Sequence, residues 1–135
     1  MAAPELRVGL HGSVRRRVTD EMCADRMGVP DAEVLASPAL ALLFEQAALD
    51  ALEQFAGPEL RTLGTRLELE HLAATPLGFE VTVDATLAEV NGRRLRFELE
   101  ARDSVEQIGT GLHDRVLVDW PRFLASVEAK RAERG

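Results

Sequence analysis

A hydroxyl, a carboxylate and an imidazole stand at Ser37, Glu45 and His71, three side chains able to move a proton or attack a carbonyl carbon. Glu45 is the most informative of them. It interrupts the most apolar stretch in the chain, Ala39-Leu40-Ala41-Leu42-Leu43-Phe44-Glu45-Gln46-Ala47-Ala48-Leu49. At about 100° per residue, Gln46, Asp50, Glu53 and Gln54 share one polar arc of a helix, and Glu45 lies roughly 130° from its middle, among Ala41, Leu49 and Leu52. The carboxylate is therefore expected on the buried side. Burying it alone costs several kcal/mol, so it should have a polar partner or a raised pKa suited to chemistry. His71 is the partner expected, since it is in phase with the apolar Leu67 and Leu69 of its own segment. Two ionisable groups on inward faces suit acid–base or nucleophilic work.

Each residue also has a plainer reading. Glu45 could cap a buried polar group, and a lone histidine on an apolar face is commonly a satisfied core residue. Ser37 before Pro38 suits a helix N-cap, which contributes about 1 kcal/mol without any catalysis. His11 and His113 read as surface residues. Arg115 reads as a solvated or salt-bridged strand residue unless the final strand faces a pocket. Arg15-Arg16-Arg17 reads as a solvated face, and no general base is placed near Cys23 to make it a nucleophile.

The 135 residues fit one domain, 1–135, with a sizeable core, and 46% hydrophobic with 29% charged residues is ordinary globular composition. The net charge of −7 argues against extended nucleic-acid contact. No apolar run suits a signal peptide or a membrane span. One cysteine excludes an intrachain disulfide and, with three histidines, disfavours structural zinc. No membrane partner, no metal and a reducing, cytoplasmic setting are expected.

The elements that must position these groups follow from periodicity. Val8, Leu10, Val14 and Val18 suggest a first strand within Leu6–Val18, and Thr19–Asp31 a short helix or loop. Ser37-Pro38 opens a helix that should run to Phe55 or Ala56 and stop at Gly57-Pro58. The period then becomes two: Leu63–His71, Phe79–Leu87, then Leu95–Ala101 after an Asn91-Gly92 hairpin turn, and Gln107–Val118. Gly109 and Gly111 inside the last strand imply a bulge or a close approach to the backbone. Pro121–Arg134 closes the chain as an amphipathic helix. One antiparallel sheet of about five strands curling over one long apolar helix, an α+β arrangement, accounts for this order.

With these segments in hand, the sequence resembles the hotdog-fold acyl-CoA thioesterases, and within them the fluoroacetyl-CoA thioesterase group. The resemblance lies in Glu33–Ser37 running into Leu43–Ala47, in Leu63-Gly64-Thr65 with His71–Pro76, and in Val90–Leu95 with Ile108–Arg115. It implies a long helix wrapped by the sheet, a homodimer with continuous sheets and active sites at the interface. It implies hydrolysis of a small acyl-CoA to free acid and CoA, with no cofactor beyond the CoA of the substrate. The family's catalytic hydroxyl, usually threonine, falls on Ser37, its carboxylate on Glu45 and its histidine on His71. The Gly64 backbone falls against the thioester carbonyl, where its N–H would serve an oxyanion, and Arg115 matches an arginine lining the acyl pocket. One departure stands out. The family carries a longer, aromatic-rich lid where this chain has Thr19–Asp31 with no aromatic residue, which implies a different or broader acyl group. The competing class is a non-catalytic acyl-CoA or small-ligand binding module on the same fold. A hydratase-type hotdog enzyme is less well matched, because no Asp and His stand together in one segment as that family has them.

Overall fold

The alternating segments become five antiparallel strands laid against one helix. The computed structural model describes residues 6–55 and 60–133. In chain order these hold β1 (His11–Arg17), α1 (Ser37–Leu52), β2 (Leu60–His71), β3 (Glu80–Asn91), β4 (Arg94–Arg102), β5 (Gln107–Asp119) and α2 (Trp120–Ala132). The strands form a single sheet in the order β1-β3-β4-β5-β2, which makes β1 and β2 its edges. The first strand is shorter than its apolar residues suggest, because Gly9 at φ +98° turns the chain just before it. The segment after β1 makes two short 3-10 turns, Asp20–Met22 and Ala24–Met27. The expected helix stop at Gly57-Pro58 lies outside the described residues.

β3 and β4 obey the period of two. Val81, Val83, Ala85 and Leu87 of β3 and Leu95, Phe97, Leu99 and Ala101 of β4 are all buried. They pack beneath Leu40, Leu43, Phe44, Ala47, Ala48 and Ala51 of α1. The sheet bends around the helix at three places where its register slips, at Thr65 in β2, Ala88 in β3 and Ile108 in β5. Each extra residue increases local twist.

Glycines set how closely the helix approaches. A Cβ on Gly12 of β1 would run into the backbone of Ala47 and Ala51. On β5, a Cβ on Gly111 would lie 2.7 Å from the Phe44 ring, and one on Gly109 would lie 3.0 Å from the Leu40 side chain. The close approach expected at Gly109 and Gly111 therefore comes both from α1 and from the Glu70 and Glu68 carbonyls of the neighbouring β2, the Glu68 carbonyl being the nearest group at Gly111, with the slip at Ile108 beside it. The closing helix forms as expected, with Phe123 and Val127 half-buried, Leu124 exposed and no residue fully buried. It starts at a cap in which Asp119 accepts from the Arg122 N–H at 3.2 Å.

Gly12→Ala should destabilise the protein by about 1–3 kcal/mol, the usual range for overpacking, because backbone cannot move aside as a side chain can. Urea unfolding of the two proteins measures it, and equal midpoints would contradict the close packing.

Candidate active site

Ser37 and His71 meet at the start of α1. The N-cap is Ala36 rather than Ser37, and the helix opens at Ser37 with Pro38 behind it. The serine hydroxyl is therefore not used as a cap. It lies 2.8 Å from Nδ1 of His71, the last residue of β2. Just beyond, the Leu72 N–H donates to the Ile108 carbonyl at 2.8 Å and fixes the strand end. The other imidazole nitrogen, Nε2, is buried and has no hydrogen-bond partner among the described residues. Burial pushes the His71 pKa below the ordinary imidazole value, with the Ala73 backbone partly offsetting this. The pair borders a cleft of about 560 Å³ whose walls include Ala24, Met27, Val34, Leu72 and Ala73.

Glu45 belongs to a different cluster. It sits eight residues along α1 from Ser37, roughly 12 Å of helix rise. Its partners are Arg115, with Nη1 3.5 Å from Oε1, and His113, with Nε2 3.9 Å from the same oxygen. The expected pairing with His71 is not made within the protomer. Nor is the carboxylate buried there, for its side chain is 43% exposed. Leu42 and Leu49, one helical turn to either side, are exposed as well. The stripe that reads as core-facing in sequence thus lies on the open flank of α1.

The arginine is held on three sides. Its Nε donates to Thr62 Oγ1 at 2.8 Å, Nη2 to the Thr62 carbonyl at 2.9 Å, and Nη1 to His113 Nε2 at 3.0 Å. Burial opposes its charge and the Glu45 carboxylate supports it. Gly64 completes the cluster. A Cβ there would lie 3.0 Å from His113 Cε1, 3.2 Å from Glu45 Oε1 and 3.4 Å from Arg115 Nη1. Ser37 and His71 are brought together, and so are Glu45, Gly64 and Arg115, but as two clusters.

Two residues escaped the sequence reading. His113 is not on the surface but 1% exposed, and Thr62 carries two of the arginine's bonds. The slip at Thr65 explains much of this. It puts Gly64 opposite Arg115 and Leu67 opposite His113, so the phase of β2 changes between them. Thr62 and Gly64 thereby join Leu67, Leu69 and His71 on the inner face. Arg115, 5% exposed, confirms that the final strand faces inward at this point.

A five-stranded antiparallel sheet curled over one long helix is the hotdog fold of the thioesterase superfamily. A model of the fluoroacetyl-CoA-specific thioesterase family matches residues 18–121. Over 98 residues the chain is 40% identical to the fluoroacetyl-CoA thioesterase of Streptantibioticus cattleyicolor, covering 73% of this chain and 70% of that protein. A solved structure of the fluoroacetyl-CoA thioesterase FlK superposes with a TM-score of 0.84 at 33% identity, over 94% of this chain and 98% of that one. A variant of that enzyme in complex with acetyl-CoA is likewise similar, at 34% identity and a TM-score of 0.84, over 93% of this chain and 98% of that one. A thioesterase-superfamily protein of Thermus thermophilus shares the fold, with a TM-score of 0.87 at 24% identity over 97% of this chain and 98% of that one. The chain belongs to the fluoroacetyl-CoA-specific thioesterase family.

The two inner histidines carry a stability signature. Burial lowers the pKa of both His71 and His113. Below the unfolded value of about 6.5 the unfolded chain binds protons that the folded chain refuses, so stability falls as pH drops through that value toward the folded ones. Urea midpoints at pH 7.5 and 5.5 should differ, with the lower midpoint at pH 5.5. A flat response would show that neither imidazole is held neutral.

Proposed function

We propose that the protein hydrolyses small acyl-CoA thioesters at a site completed by two copies of the chain. The observation that carries the reading is the Ser37–His71 contact, with the buried Nε2 of His71 left without a hydrogen-bond partner among the described residues. A group so placed needs a substrate or a second chain to satisfy it. Glu45, half-exposed between two leucines, needs a cover for the opposite reason.

One arrangement meets both needs. β2 is an edge strand of twelve residues, a ready template for pairing with another chain. Antiparallel pairing of two β2 edges about a two-fold axis between Leu67 and Glu68 sets Gly64 of one copy opposite His71 of the other. The Glu45 cluster of each protomer then faces the Ser37–His71 pair of its mate.

The chemistry is ordinary thioester hydrolysis. Glu45 acts as general base on water, or attacks the carbonyl carbon itself to give an anhydride that water then opens. The carbonyl π electrons move to oxygen, and the Gly64 N–H stabilises that oxyanion. The oxyanion collapses, the C–S bond breaks and CoA leaves as a thiolate. His71, with Ser37 orienting it, passes the proton that water gives up on to the departing CoA sulfur, leaving Glu45 ionised again. Arg115 borders the acyl group. Nothing in this route calls for a cofactor beyond the CoA of the substrate, and a buried, free Cys23 is compatible with a cytoplasmic setting. Among the described residues no helix is long and apolar enough to cross a membrane. A module that only binds acyl-CoA would use the same cleft, but the thioester would be recovered intact.

The acyl group follows from the cleft. Apart from Ser37 and the His71 ring its walls are apolar, with no Phe or Trp among them, so an alkyl chain gains from each methylene it buries, up to about 0.8 kcal/mol or fourfold. On straight-chain acyl-CoAs, kcat/KM should rise from acetyl to butyryl. A clear preference for fluoroacetyl-CoA over all of these would overturn the reading of the cleft.

Glu45→Gln and His71→Ala should each lower kcat at least about a hundredfold, the usual scale of acid–base catalysis. Shared sites add a sharper test. A Ser37→Ala/His71→Ala chain mixed and re-equilibrated with a Glu45→Gln chain forms hybrids holding one intact site of two, restoring about a quarter of wild-type activity. Sites confined to one protomer would restore nothing. Sedimentation should show a dimer at micromolar concentration, and a monomer there would refute the arrangement.

A further inference from the structure

We infer that His113 is a positioning residue: in its neutral form, with hydrogen on Nδ1, it holds the Arg115 guanidinium against Glu45 and Gly64. The bonding pattern dictates that form. The Arg66 carbonyl lies 2.8 Å from Nδ1, and a carbonyl can only accept, so Nδ1 carries the hydrogen. On the other side of the ring, Arg115 Nη1 lies 3.0 Å from Nε2, and a guanidinium can only donate, so Nε2 must offer its lone pair. A protonated ring would aim a second N–H at a group that cannot accept it. The ring is 1% exposed, so no water competes for either nitrogen.

The consequence falls on Arg115. Its Nε and Nη2 are fixed by Thr62 at the back, and Nη1 is the nitrogen that faces Glu45. His113 is what holds Nη1 in place from the side. Without it the guanidinium keeps its grip on Thr62 but loses the constraint on the end nearest the carboxylate. The charged groups around the ring are few. Glu45 faces it from α1 at 3.9 Å, and Arg115 and Asp114 belong to β5. Asp114 is already engaged by Arg96 at 2.8 Å and 3.0 Å. β2 contributes the Arg66 carbonyl, and β4 sets Phe97 opposite. Protonation of His113 therefore has one outlet. Nε2–H releases Arg115 and turns toward Glu45, tying up the carboxylate.

This inference rests on the reading of Glu45 and Arg115 as working groups in thioester hydrolysis. The test compares wild type, His113→Gln and His113→Leu with the best acyl-CoA substrate across pH 5–8, with far-UV circular dichroism and urea midpoints as folding controls. His113→Leu, which cannot accept a bond, should lose at least tenfold in kcat while KM changes less than threefold. His113→Gln, whose amide oxygen can take the Arg115 N–H, should recover at least a third of wild-type kcat. It should also keep that rate to lower pH than wild type, because its side chain does not titrate. A folded His113→Leu protein with wild-type kcat would overturn the inference, as would Gln and Leu variants equally impaired. Ring 15N shifts give a readout that needs no turnover. They should report Nδ1 protonated and Nε2 accepting in the wild type, and the opposite tautomer would overturn the inference. Wild-type protein that cleaves no acyl-CoA would defeat the hydrolytic reading, while the ring shifts would still decide the hold on Arg115.

Discussion

The rise of α1 is the constraint on which the site depends. Ser37 and Glu45 share one straight helix, and eight residues of rise keep their backbones roughly 12 Å apart. No side-chain rotation closes that gap for a serine and a glutamate. Each must be met by something brought to it by the sheet. The sheet can do so because it lies against the helix at Gly12, Gly109 and Gly111, where a side chain would push it away. His71 then arrives at one end of α1 and Arg115 at the middle. The two clusters are thus a result of packing, not of local sequence.

That distinction explains what could be read from the chain. Alternation in β3 and β4 was legible because every inward residue there is apolar, and α1 because its apolar residues outnumber one face. The unusual character of Glu45 was legible too. Its partner was not, because which strand residue meets position 45 depends on a register set at Thr65, where one inserted residue exchanges the faces of β2. In β5 the pattern misleads outright. Leu112, Val116 and Val118 share one phase, which reads as the core face, yet Gly111, His113 and Arg115 point inward. Gly109 and Gly111 are the signal that could have corrected it, since two glycines in one phase mark the face on which a helix rests closely. Ser37 reads as a cap, and is not one, for a simpler reason. Cap preference describes where serines occur, and here the helix begins one residue earlier than the preference suggests.

Charge is sorted across the sheet. The inner face holds Arg115 beside its carboxylate, while the outer face carries a broad groove edged by Glu68, Glu70, Asp84, Glu98 and Glu100. Arg96 grips Asp114 there through two short bonds across β4 and β5, a geometry stronger than the long single contacts elsewhere on the surface. An acidic outer face repels the phosphates of CoA. In the proposed dimer, which occupies the β2 edge, that leaves the cleft beside Ser37 and His71 as the approach for the polyanion.

In the proposed dimer, catalysis and association are two consequences of one surface. A carboxylate open to water is a weak base at neutral pH, and only removal of solvent strengthens it. Within one protomer Glu45 meets Arg115 on one side and is open to solvent on the other. Leu42 and Leu49 frame it with apolar area that water covers poorly. Covering those leucines with a second copy lowers the free energy of association and, in the same step, strips solvent from the carboxylate between them. The energy gained from apolar contact would offset the cost of desolvating the charge, which would link the strength of the proposed dimer to the reactivity of its proposed site.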